Sequence, residues 1–159
     1  LKNLLNNAFH GRVDAGPRPV FCGMIPWEKP AFDSPYELWR EEGLVFLVLA
    51  GHVELGLREM KEMIRQIAAI DADGTAPIIM ECRHGAHVGE DARNLVCRAC
   101  GQKGHPVALL TTDLDIRLQG EVFKQVQQPH FPFRVFSTRN EATRWARERR
   151  QLKVIAGRS

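Results

Sequence analysis

The chain has little that would carry it into or across a membrane. Its longest unbroken apolar run, Leu44 to Ala50, is seven residues, where a spanning helix needs ~20. No secretory signal is legible, because the opening "LKNLLNNAFHGRVDAG" places asparagines where an apolar core would have to lie. A cytoplasmic location is therefore expected. Cysteine is sparse: Cys22, Cys82, Cys97 and Cys100 form no dense framework, and a chain of this size does not depend on one, so reduced thiols are expected. Serine and threonine are missing between Thr75 and Thr111, which removes hydroxyl phosphorylation from the middle of the chain. There is no glycine-rich phosphate loop, no complete triad and no complete metal-ligand set, so neither cofactor nor metal is expected. The chain begins at Leu1 rather than Met, as expected of a piece of a longer protein.

What remains is an ordinary globular composition in 159 residues, enough for one domain and an extension. The net charge of +3 is small, and nucleic acid is not an expected partner. The basic residues are uneven, however. Arg139, Arg144, Arg147, Arg149, Arg150, Lys153 and Arg158 crowd the C-terminus, either as a surface for acidic partners or as a solvated helix face with a frayed end. The first 35 residues hold five of the nine prolines and three glycines, which leaves no room for a long element. They read as an arm. Phe9, Phe21, Ile25, Trp27 and Phe32 give it more apolar surface than a free linker carries, so residues 1–35 are expected to pack on the body or to join two chains as a homodimer.

From Tyr36 the pattern becomes regular. "YELWR", the turn "EEG" and the apolar run "LVFLVLAG" read as a hairpin whose second strand is buried on both faces. In the next segment Leu57, Met60, Ile64 and Ile67 recur at helical spacing. "PIIMEC" is a third strand, and Val88, Ala92, Leu95, Val96 and Ala99 mark a second helix over 88–103. "PVALLTT" is a fourth strand, Asp115 can cap a third helix reaching Val126, and "FRVFS" is a fifth strand. Thr138 with Glu141 makes a capping box for a last helix through Arg150. The expected fold is α/β: a mostly parallel sheet of about five strands with an initial hairpin and four helices over 36–151, followed by a basic tail over 152–159.

The strings "LVFLVLAGHVELGLREMKEMIRQI", "PIIMEC", "GHPVALLTTDLDIRLQGEVFKQV" and "FRVFSTRNEATRWARER", taken in this order, resemble the STAS fold, the SpoIIAA-like domain of bacterial anti-sigma-factor antagonists. The resemblance implies a regulatory domain acting through protein partners. In that family a regulated serine stands at the N-terminus of the second helix, and the matching stretch here is "GEDA", Gly89 to Ala92. With no hydroxyl in it, a serine switch is not expected. Glu90 and Asp91 instead put fixed negative charge where a phosphate would sit, or simply supply the acidic first turn that a helix dipole favours.

Two further motifs carry chemistry. "CRACGQKGH", Cys97 to His105, resembles a zinc knuckle, but its fourth ligand position is Leu110. Cys97 is expected on the solvent side of its helix, Cys100 at the boundary and His105 in an exposed loop. Cys82, His84 and His87 lie at the other end of that helix, roughly 15 to 20 Å away. "CRHGAH", Cys82 to His87, resembles the active-site loop of rhodanese-type sulfurtransferases, which would make Cys82 a nucleophile. The glycine and tryptophan segments that accompany that loop are missing, and the alternative is a small residue ending a buried strand. The reading is thus a non-enzymatic binding domain recognising a protein partner, or a small ligand, through Glu90, Asp91 and Arg93. A thiol enzyme using Cys82 and a Sec14-like lipid carrier are the alternatives.

Overall fold

The computed structural model describes residues 34–100 and 104–156. The proline-rich arm up to residue 33, with Cys22 and the homodimer contact expected of it, lies outside the described residues, as does Arg158. The chain opens with β1 (Tyr36–Glu41) and β2 (Leu44–Leu49), antiparallel and joined at Glu42 and Gly43, both at positive φ (49° and 73°). That two-residue turn follows the right-handed twist of the strands. Trp39 and Phe46, opposite each other in the register, stack at 5.3 Å and add a cross-strand contact.

Next come a two-residue strand β3 (Glu54–Leu55), helix α1 (Leu57–Ile70), β4 (Ile78–Cys82), β5 (His87–Val88) and α2 (Glu90–Ala99). Then follow β6 (Val107–Leu110), α3 (Leu114–Val122) with a π-helical turn over Phe123–Gln127, β7 (Phe133–Phe136) and α4 (Arg139–Ala156). The main sheet runs β1-β2-β4-β6-β7, parallel from β2 onward. This is the expected five-stranded sheet with an opening hairpin and four helices.

Strand alternation divides the core. Val45, Leu47, Leu49, Ile78, Cys82 and Leu109 face α1, α2 and α3. Leu44, Ile79, Ala108, Leu110 and Phe136 face Ala142, Trp145 and Ala146 of α4. Because helices cover both faces, β2 is apolar at every position. At the N-terminus of α4 Thr138 and Glu141 pair as expected, though through the hydroxyl rather than the Thr138 amide: the Thr138 hydroxyl donates to Glu141 Oε2 at 2.8 Å and accepts from the Glu141 amide at 3.4 Å.

Several boundaries differ from the sequence-based expectation. The second helix starts at Glu90, not Val88, because β5 pairs in parallel with β3: the His87 amide donates to Val53 O at 2.8 Å and the Gly89 amide to Leu55 O at 2.9 Å. It stops at Ala99, since Cys100 has left the helical region (φ −103°, ψ 100°). The cap of α3 is Asp113, two residues before the expected Asp115, its Oδ1 accepting from the amides of Asp115 (2.9 Å) and Ile116 (3.2 Å). The buried stripe of α1 is Met60, Met63 and Ile67, whereas Leu57 is exposed. Helix α4 runs past Arg150 into the segment read as tail.

Candidate functional site

Helix α2 covers the middle of the sheet with small or half-buried side chains. Only Ala92 is fully buried; Leu95 and Val96 are partly so. A helix that lowers so few long side chains cannot fill the space beneath it. The result is a cavity of about 470 Å³ between the sheet and helices α1, α2 and α3, walled mainly by Met63, Met80, Val96, Leu109, Phe123 and Phe133. At its floor Gly120 brings α3 close to the sheet, where a Cβ would lie 2.6 Å from Leu109 Cδ2. The methionines and phenylalanines give the walls adaptable and aromatic apolar surface. Arg93 and His105 are the basic side chains that reach the lining.

The residues singled out in the sequence fall into two groups. Glu90 and Asp91 stand exposed in the first turn of α2, where the helix dipole stabilises them. Arg93, one turn on, donates through its guanidinium to Val88 O and lines the cavity. The structure therefore brings these three to one helix end, with one of them on the cavity wall.

Cys82 is fully buried against the α1–α3 core, and burial, with Glu81 adding to it, pushes its thiol up to about 12. Such a thiol is protonated at neutral pH, although Cys82 also lines the cavity beneath α2. Cys97, expected on the solvent side, is half-buried, as is Cys100, and burial raises both thiols. His105 is not an exposed loop histidine. Its ring is 16% exposed, with Nδ1 2.7 Å from Ala76 O and 3.5 Å from Asp71 Oδ2. Among the described residues no three His, Cys, Asp or Glu side chains converge as metal ligands.

The carboxyl edge of the sheet carries a cluster that the sequence reading passed over. Asp113 Oδ2 accepts from the Gly85 amide at 3.1 Å and faces His84 Nδ1 at 2.5 Å, while the His84 ring meets His52 edge-on at 5.3 Å. The amides of Ile116 and Gly85, then Asp115 and His84, hold the Asp113 carboxyl below the usual carboxylate range. The Thr111 hydroxyl beside it donates to Cys82 O at 3.0 Å and accepts from the Asp113 amide at 3.1 Å. These bonds staple the loop after β4 to the start of α3. The aspartates at positions 113 and 115 were the available signal, and choosing the wrong one as cap hid the link.

With this geometry established, comparison with known proteins gives the family. The profile of a family described as a domain of unknown function, DUF7793, matches residues 38–150. The chain belongs to it. No curated protein matches the chain. Among solved structures, it is similar to an uncharacterized protein from the DUF3478 family with a SpoIIAA-like fold, from Shewanella loihica PV-4. The two share 13% identity at a TM-score of 0.51, over 70% of this chain and 91% of that one. At this identity the likeness establishes the fold, and the fold is SpoIIAA-like, as the STAS resemblance implied. No helix among the described residues is long and apolar enough to cross a membrane.

Proposed function

We propose that this DUF7793 domain is a non-enzymatic binding domain that takes an apolar small molecule, of the acyl-chain class, into the cavity beneath α2. The observation that carries this is the cavity itself: about 470 Å³ in a domain this small, with walls almost wholly apolar. Ligand pockets of proteins commonly run to about 300–1,000 Å³ with this kind of lining. An apolar space gains nothing by filling with water, so an apolar ligand is its favourable occupant. The buried, protonated state of Cys82 weighs against the thiol-enzyme alternative. Titration of the purified domain with a dansyl-labelled fatty acid tests the reading. One-to-one binding is expected, weakened about tenfold or more by Val96→Trp, which fills the space, together with a melting temperature that rises with ligand. Equal affinity in a folded Val96→Trp variant, or no saturable binding, would remove it.

The exposed Glu90 and Asp91 favour a second reading, in which a protein partner recognises the N-terminal end of α2. Neither carries an ion pair among the described residues, so their charge is free to set electrostatic complementarity. Arg93 links that end to the cavity wall, and a ligand beneath α2 would be felt where the partner docks. Capture of partners from the native host with Glu90→Lys plus Asp91→Lys, against Arg147→Glu plus Arg150→Glu, separates the two surfaces. The first variant is expected to lose its partner. If only the second does, recognition belongs to the basic face of α4.

A further inference from the structure

The cavity beneath α2 has two different ends. Among the described residues its lining contains no aspartate or glutamate, and the lining side chains that carry nitrogen are Arg93, Gln119 and His105. Arg93 belongs to the carboxyl edge of the sheet, near the start of α2 and on the side where β4 ends at Cys82. His105 belongs to the amino edge, just before β6 begins at Val107. The aromatic part of the lining gathers at that same edge: Phe133 opens β7, and the rings of Phe123 and Phe131 meet it at 5.0 Å and 6.4 Å. The space is therefore basic under the start of α2 and aromatic at its far end.

The two basic groups differ in what already holds them. His105 Nδ1 has Ala76 O at 2.7 Å and Oδ2 of the buried Asp71 at 3.5 Å, so an anion brought there would meet a carboxylate. Arg93 is differently placed. Its guanidinium donates to the backbone carbonyl of Val88, and no ion pair of the described residues includes it. Glu90 and Asp91, its neighbours on the helix, are exposed to solvent. A carbonyl orients a guanidinium, uses few of its N–H donors and leaves its charge uncancelled. The remaining donors match the paired oxygens of a carboxylate.

We propose that the occupant of this cavity is an acidic amphiphile, a linear monocarboxylic acid lying with its carboxylate on Arg93 and its tail toward Phe123, Phe131 and Phe133. The proposal rests on the apolar-ligand reading of the cavity and adds the ligand's head group and its direction. An ionised head leaves water only where a cation meets it. Arg93 is half-buried, so the head can pair with it and keep part of its hydration while the chain is enclosed.

Decanoate and decan-1-ol differ only at the head, and binding of each to the full chain at neutral pH tests the proposal. Both are expected to shift the amide resonances of Val96, Leu109 and Phe133 saturably, with decanoate tighter by about tenfold or more. The Nε–H resonance of Arg93 should move with the acid and stay in place with the alcohol. Arg93→Met should bring the acid down to the alcohol's affinity, and Arg93→Lys, which keeps the charge, should restore part of the preference. Should Arg93→Met not fold, Arg93→Gln takes its place, since it retains a donor for Val88 O. Equal affinities for acid and alcohol in the parent overturn the head-group site and leave the apolar-ligand reading standing, and this comparison depends on no variant. A preference for the acid that survives in the folded Arg93→Met or Arg93→Gln protein overturns it as well. If neither compound binds, the apolar-ligand reading falls and this proposal with it.

Discussion

Arg139→Met is expected to destabilise the domain by about 3–5 kcal/mol, measured as a lowered midpoint of chemical denaturation. The reason lies on the α4 face of the sheet. Glu81, wholly buried in β4, pairs with the Arg139 guanidinium in the first turn of α4, and that side chain is only 16% exposed. Glu81 Oε1 has no hydrogen-bond partner among the described residues, so the carboxylate depends on this one cation. Removing the cation strands a charge between Val48 and Leu110, its neighbours across the strands. The companion variant separates the pair's value from the cost of breaking it. Glu81→Met with Arg139→Met replaces both ions by apolar side chains and should recover most of the loss. If the single variant is as stable as the parent, the pair does not hold α4 to the sheet.

The second large effect is alkaline. The Cys82 thiol ionises at about 12 in the folded protein against 9.0 for an unperturbed cysteine. Between those values the unfolded chain loses a proton that the folded chain keeps, so Cys82 contributes stability that is complete below pH 9 and declines as pH rises toward about 12. Each unit in that window should lower the folded-to-unfolded ratio about tenfold, or roughly 3 kcal/mol over two units. Comparing the parent with Cys82→Ala across pH 8 to ~11 isolates this slope from the other titrating groups, and the variant should be flatter. In the native state the protonated Cys82 thiol should react with a charged thiol reagent far more slowly than an exposed cysteine. Fast labelling of Cys82 at neutral pH in the folded protein, or parallel slopes in the two proteins, would return it to the nucleophile candidates.

Much of the architecture was legible because its signals are local. Strand lengths, the continuous apolar β2, the Glu42–Gly43 turn and the Thr138–Glu141 cap each rest on a few neighbouring residues. Where two readings of the same local signal competed, the sequence could not choose. Asp113 and Asp115 are both good caps, and the register of α3 on the sheet selects Asp113. The inward face of α3 is equally undecidable from pattern, because Leu114, Leu118, Val122 and Val126 are apolar yet exposed, while Ile116, Gly120 and Phe123 point in. The short β3–β5 ribbon joins residues more than thirty positions apart, and two residues are too few for any periodicity to reveal.

By itself, then, the amino-acid order determined which segments become the five strands of the main sheet and its four helices, since hydrophobic periodicity and capping act over a few residues. It also marked Glu90, Asp91 and Arg93 as charged groups at one helix end. Only the tertiary structure decided the rest. Whether α2 fills or spans the space above the sheet depends on how far the β3–β5 ribbon and α1 hold it away, which is a matter of packing between distant segments. Whether Cys82 is a nucleophile depends on what buries it. Whether Arg150 reaches the Glu42 carbonyl depends on a turn and a helix end meeting across more than a hundred residues of chain, a proximity that no local pattern encodes.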